Sequence, residues 1–96
     1  MNAVGIDVSK GKSMIAIMRP LGEVVATPFE VGHTATELNE LAKFILKISG
    51  ETRVVMEYTG VYFEPIARAL YDAGLTVCVV HAQLIHNYGN NTIRKI

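Results

Sequence analysis

The sequence predicts a small mixed α/β sheet, and three observations carry that prediction. Three apolar runs open the chain, Ala3 to Val8, Ser13 to Arg19 and Val24 to Val31, separated by short turns. A strand-helix-strand-helix-strand succession follows with short links, which implies crossovers that set the last strands parallel to the first. Finally, 96 residues of which 50% are apolar and 19% charged, with slightly positive mean hydropathy, make a globular chain of one small domain at most.

Taken in order, Ala3 to Val8 is the first strand, and Ser9-Lys10-Gly11-Lys12 is a turn whose glycine can take positive φ. The second strand, Ser13 to Arg19, places Met14, Ala16 and Met18 on one face and Ile15 and Ile17 on the other, so both faces read as covered. Pro20-Leu21-Gly22-Glu23 is a hairpin-like turn. Pro28 suits the third strand to a sheet edge, because proline cannot donate to a central ladder.

Thr34 followed three residues later by Glu37 is a capping-box pattern. Leu38, Leu41, Ile45 and Ile48 recur at helical spacing beyond it, and Gly50 stands at the expected stop. After the strand Arg53 to Glu57, a second helical pattern runs through Phe63, Ile66, Leu70 and Ala73 to Gly74, with Pro65 in or just after its first turn. Leu75 to Val80 is the last strand. From Leu84 onward the pattern loses definition. No closing helix follows, so residues 1–96 read as the N-terminal part of one longer domain, with no second domain present.

Composition excludes several classes. Formal charge is zero, so the whole-chain field gives no reason to expect nucleic-acid or membrane binding, and such a role must come from local patches. Cys78, the one cysteine, lies in an apolar strand and reads as a buried inert thiol. No stretch approaches the roughly 20 apolar residues of a membrane span, and no secretory leader is legible. A cytoplasmic protein is expected.

Chemistry concentrates at two strand ends. Val4-Gly5-Ile6 delivers Asp7, and Val54-Val55-Met56 delivers Glu57. Carboxylates on adjacent strand ends suit a hard divalent cation and phosphodiester chemistry. The bland alternative has Asp7 bonding within the Ser9 to Gly11 turn, and Glu57 capping the next helix or meeting an arginine. Both readings stand on the residues alone. Lys10, Lys12, Arg94 and Lys95 are candidates for phosphate contact or, equally, solvated loop charges. Thr59-Gly60 offers backbone amides ahead of a helix, or simply a tight turn. Tyr58, Tyr62 and Phe63 are candidates for base stacking, although aromatic residues at helical spacing also build cores. His33, His81 and His86 match no zinc spacing and read as solvent-facing or satisfied. No serine has a paired base.

Gly5-Ile6-Asp7-Val8-Ser9-Lys10, taken with Glu57-Tyr58-Thr59-Gly60-Val61-Tyr62, the Leu70 to Gly74 spacing and the Val77 to Val80 strand, resembles the DEDD transposases of the insertion sequence one-ten family over almost the whole chain. The resemblance implies a domain like the Holliday-junction resolvase RuvC, with a ribonuclease-H-like fold in which four acidic residues bind Mg²⁺ or Mn²⁺ as a two-metal site. It places the first acidic role on Asp7 and the second on Glu57. The other two fall in a stretch following a segment like Asn91 to Ile96, so the 96 residues hold half the set and are expected to be inactive alone. A C-terminal domain with a serine active in strand exchange is also implied. Tyr58 replaces a usual small residue, and His81-Ala82 replaces a common Asn-Pro, which bears on substrate contacts. The implied partners are DNA at the element ends and target, an element-encoded structured RNA and further copies of the chain, with no membrane. Two other classes remain open: the ATPase half of an actin-like or sugar-kinase fold, and a non-catalytic binding or assembly module.

Overall fold

Alternation with a period of two sets the first strand, since Asn2, Val4, Ile6 and Val8 are buried while Ala3, Gly5, Asp7 and Ser9 are exposed. A computed structural model describes residues 1–20, 23–58 and 60–81. Its elements are β1 (Asn2–Ser9), β2 (Lys12–Met18), β3 (Val24–Gly32), α1 (Ala35–Leu46), β4 (Thr52–Tyr58), α2 (Glu64–Asp72) and β5 (Thr76–His81). The strands form one sheet in the order β3-β2-β1-β4-β5. β2 is antiparallel to β1 and β3, whereas β1, β4 and β5 run parallel, as the strand-helix alternation predicts. Leu84 onward, the Leu21-Gly22 tip of the hairpin turn and His86 lie outside the described residues.

One face of the sheet carries the core. Val4, Ile6 and Val8 of β1, Ile15 and Ile17 of β2, and Val54 and Met56 of β4 pack in a single cluster with Leu38, Leu41 and Ile45 of α1 and Ile66 and Leu70 of α2. Both helices therefore lie on this face. Ile15, Ile17, Met56, Ile66 and Leu70 are wholly enclosed, each a contribution of about 1.5–3 kcal/mol relative to exposure. β3 occupies the sheet edge, and its register against β2 slips between Ile15 and Met18, opposite the segment holding Pro28. The bulged edge accommodates the missing donor.

The junction of β3 and α1 follows the capping-box pattern with one change. The Glu37 amide donates to Thr34 Oγ1 at 3.2 Å, and the Thr34 hydroxyl donates to Glu37 Oε1 at 3.0 Å. Glu37 Oε2 then accepts from the amide of Gly32 at 2.8 Å rather than from the cap residue's own amide. Only glycine permits this approach, since a Cβ at position 32 would stand 2.5 Å from the carboxylate. α1 ends at Leu46, two residues short of the last periodic position, Ile48, and Gly50 and Gly74 take positive φ beyond the two helices. Pro65 sits in the first turn of α2, where its missing amide costs nothing.

Two polar residues are buried on the helical face. The side-chain amide of Asn2 donates to the Ser49 carbonyl at 2.8 Å and to Thr52 Oγ1 at 3.2 Å, while its backbone amide donates to the Glu51 carbonyl. These bonds pin the start of β1 to the entry of β4. Ser13 Oγ lies 2.8 Å from His33 Nε2, so His33 is a satisfied histidine, as its lack of metal spacing implies. Burial pushes the His33 imidazole below its ordinary value of 6.5, opposed by the nearby Glu37 carboxylate.

The other face departs from expectation. Met14 and Met18 are 45% and 42% exposed, and Val55 is 40% exposed, so β2 is covered on one side only. Alternation places a side chain on a face but does not supply a layer to cover it. Cys78 shares this face opposite Val55 and is half-buried, where a buried thiol was expected. Val80, level with Glu57 on this same face, is only 2% exposed, so the face is not open along its whole width. Among the described residues, no helix is long and apolar enough to cross a membrane.

Two outcomes follow. Asn2→Ala leaves the Ser49 carbonyl without its donor and should lower the unfolding free energy by about 1–3 kcal/mol, read as a shifted denaturant midpoint at unchanged slope. For His33 the folded imidazole resists protonation, so its contribution to stability is complete above about pH 6.5 and is lost as pH falls through the depressed folded value. Denaturation midpoints should therefore decline on acidification below about pH 6.5, and His33→Gln should flatten that part of the profile.

Candidate active site

Asp7 and Glu57 are Cα partners in the parallel ladder of β1 and β4. Each points to the face opposite α1 and α2, because the residues flanking it, Ile6 and Val8 for Asp7 and Met56 for Glu57, are buried beneath those helices. Neighbouring strands lie about 4.8 Å apart, so two side chains in register on one face have roots close enough to share a ligand above the sheet. Both carboxylates are exposed. Among the described residues, neither makes a hydrogen bond or an ion pair.

The bland reading of the pair predicts partners that are absent there. The turn after β1 is held by Ser9 Oγ donating to the Lys12 carbonyl at 3.3 Å and by the His33 amide donating to the Gly11 carbonyl at 3.1 Å, without Asp7. The N-cap of α2 is Phe63, with no side-chain capping bond, so Glu57 does not cap it. Two like charges directly opposite in a ladder oppose pairing. Among the described residues, no hydrogen bond or ion pair to either carboxylate offsets that repulsion. As hard oxygen donors held on rigid strands, the pair fits a divalent cation such as Mg²⁺ or Mn²⁺. Two donors are fewer than such an ion needs, and among the described residues no group of three or more histidine, cysteine or acidic side chains converges as a metal site.

The other candidates separate on inspection. Lys12 Nζ pairs with Glu30 Oε2 at 2.9 Å, an exposed pair on the same face, while Lys10 stands exposed in the turn after Asp7's strand. Gly60 takes a φ of 79° just after Glu57's strand, a conformation that a side chain would strain. Of the three aromatic residues, Tyr58 and Phe63 pack on each other with centroids 4.2 Å apart, and Tyr58 also meets the His81 ring edge-on at 5.1 Å. Both are partly buried against the core. Tyr62, 42% exposed, remains available beside Gly60. Thr59, Arg94 and Lys95 lie outside the described residues.

One residue on this face escaped the sequence reading. Arg53 stands on β4 two positions before Val55 and four before Glu57, so all three share that face. Its Nε is buried and has no hydrogen-bond partner among the described residues. The alternation of β4 was the available signal, but an arginine near the start of a strand reads equally well as a solvated end.

Comparison with known proteins bears on the whole chain. No curated protein sequence matches. Among solved structures, Thermus thermophilus RuvC in complex with a Holliday junction substrate is similar at a TM-score of 0.61 and 12% identity, over 95% of this chain and 71% of that one. A second Thermus thermophilus RuvC structure is similar at a TM-score of 0.59 and 14% identity, over 91% of this chain and 68% of that one. At these identities the likeness establishes a RuvC-like, ribonuclease-H-like fold. The DEDD transposase family of the insertion sequence one-ten type, described as transposase, matches residues 4–96. With nearly its full length matched, the chain belongs to that family of transposases, nucleic-acid-cleaving enzymes of a kind that generally uses divalent metal ions.

Proposed function

We propose that residues 1–96 form the N-terminal part of one transposase catalytic domain, in which Asp7 and Glu57 jointly hold Mg²⁺ or Mn²⁺ for DNA strand cleavage and exchange. The observation that carries this reading is the pairing of the two carboxylates in register on the face opposite α1 and α2, both exposed and with no partner among the described residues. A bound divalent ion would supply Lewis-acid stabilisation of phosphoryl oxygens and a more acidic attacking water. The chain's own part is positional. β1 and β4 hold the backbone of the two donors level and on adjacent strands.

Further acidic ligands, a C-terminal serine domain, DNA at the element ends and target, and an element-encoded structured RNA belong to the same proposal, and their support is the family membership. A branched DNA substrate is consistent with the junction bound by the RuvC relative. Lys10 and Tyr62 flank the carboxylates on the turns after β1 and β4, and Lys12, Thr59, Gly60, Arg94 and Lys95 complete the candidate contacts to nucleic acid. Phosphates neutralised by lysine would make binding salt-dependent, and an exposed tyrosine would stack on an unpaired base. The ATPase reading finds no support in the family match, and the assembly reading leaves the unpaired carboxylates unexplained.

Three results are expected. In the 96-residue chain, Asp7→Asn or Glu57→Gln should leave the thermal midpoint unchanged or raise it, with roughly 0.2–1 kcal/mol gained by removing the repulsion. Saturating Mn²⁺ should raise the midpoint of the wild-type chain and not of either variant, since an ion bound only by the folded state stabilises it by mass action. In the full-length transposase, either substitution should reduce DNA cleavage by at least about a hundredfold, with DNA binding retained. Cleavage that survives both substitutions contradicts the assignment.

A further inference from the structure

We propose that His33 is a positioning residue for DNA contact: fixed at the junction of β3 and α1, it holds the Lys10-Gly11 turn so that the Lys10 ammonium meets a substrate phosphate beside Asp7. This role rests on the reading of Lys10 as a phosphate contact.

Ser9 and Lys12 are the last pair of the β1–β2 ladder, so Lys10 and Gly11 form a two-residue loop, with Lys10 three residues past Asp7. Gly11 takes a φ of 74°, as such a tight hairpin requires. A two-residue loop fixes its own bend but not its tilt against the rest of the sheet. The bond from the Ser9 hydroxyl to the Lys12 carbonyl, at 3.3 Å, stays inside the hairpin. Among the described residues, the one hydrogen bond that reaches the loop from outside the hairpin runs from the His33 amide to the Gly11 carbonyl, at 3.1 Å.

That amide is itself held from both sides. Gly32, level with Lys12 in the β2–β3 ladder, donates its amide to Glu37 Oε2 at 2.8 Å, and the Thr34 hydroxyl donates to Glu37 Oε1 at 3.0 Å. One carboxylate of α1 thus braces both neighbours of His33. The ring is anchored separately, with Nε2 2.8 Å from the Oγ of Ser13, a residue only 1% exposed. A bond to a group that cannot move fixes the ring, and with it the direction of the backbone amide. Lys10 is the charge this arrangement delivers. Lys12 is engaged with Glu30 at 2.9 Å, whereas Lys10 is exposed and makes no ion pair among the described residues. A lysine is a point charge on a flexible stem, so what the protein can set in advance is the position of its root.

Binding of a labelled four-way DNA junction by the full-length transposase, titrated in chelator over a range of salt, tests this. Lys10→Ala should lower the slope of log affinity against log salt by about 1, the loss of one phosphate contact. Ser13→Ala removes the anchor of the ring without touching any candidate contact. It should weaken binding by roughly threefold or more in the wild-type background and leave it unchanged in the Lys10→Ala background, because both act through one contact. His33→Gln, whose side-chain amide can reach Ser13 as Nε2 does, should bind like wild type. Thermal midpoints separate lost contact from lost folding, and His33→Ala runs the same cycle if Ser13→Ala does not fold. An unchanged slope in Lys10→Ala would refute the phosphate contact and the role of His33 with it. A reduced slope in Lys10→Ala beside full affinity in folded Ser13→Ala, additive losses in the double variant, or weakened binding in folded His33→Gln would overturn the positioning role alone. With metal chelated, none of these outcomes bears on whether Asp7 and Glu57 hold a cation.

Discussion

The parallel register of β1 against β4 is the constraint on which the rest depends. It sets Asp7 level with Glu57, and strand alternation then sends both to the face opposite α1 and α2. A slip of one residue would turn one carboxylate into the core, which burial would not tolerate. The register is held from two sides. Val4 and Ile6 of β1 are enclosed with Val54 and Met56 of β4 in the same cluster, and Asn2 fixes the start of β1 to Ser49 and Thr52. Core packing thus determines where the charged groups stand.

Placing the carboxylates has an electrostatic cost that the described protein leaves uncompensated. Elsewhere on the same face, Lys12 and Glu30 pair with each other, and on the edge Arg19 lies 3.9 Å from Glu23. Such exposed pairs contribute little to stability, but they show that charges here find partners when geometry allows. Asp7 and Glu57 do not, and neither does the Nε of Arg53. Strain of this kind concentrated at one place marks a site shaped by something other than folding.

Much of this was legible in the residues. Thr34 and Glu37 announced the start of α1, Pro28 announced an edge strand, and Pro65 and Gly74 bracketed α2, because each acts through its own backbone geometry or a bond to a near neighbour. The pairing of Asp7 with Glu57 was legible too, since both end an apolar run. Three things were not. Whether the face of Met14 and Met18 is covered depends on a second layer, and methionine is at home on either kind of surface. The bond from Glu37 to Gly32 depends on how β3 enters α1, beyond the capping-box pattern itself. The unpaired state of Arg53 depends on which strand lies beside it. Local signals carried the elements, and long-range placement carried the site.

The most direct test of the central claim is a crystal structure of the 96-residue chain soaked in Mn²⁺, with anomalous scattering measured at the manganese edge. The account predicts a peak between Asp7 and Glu57, within the roughly 2–2.3 Å of both carboxylates expected for a hard divalent ion on oxygen, and no such peak in crystals of Asp7→Asn. Two carboxylates that point apart, or a fully occupied ion bound elsewhere with none between them, would contradict it.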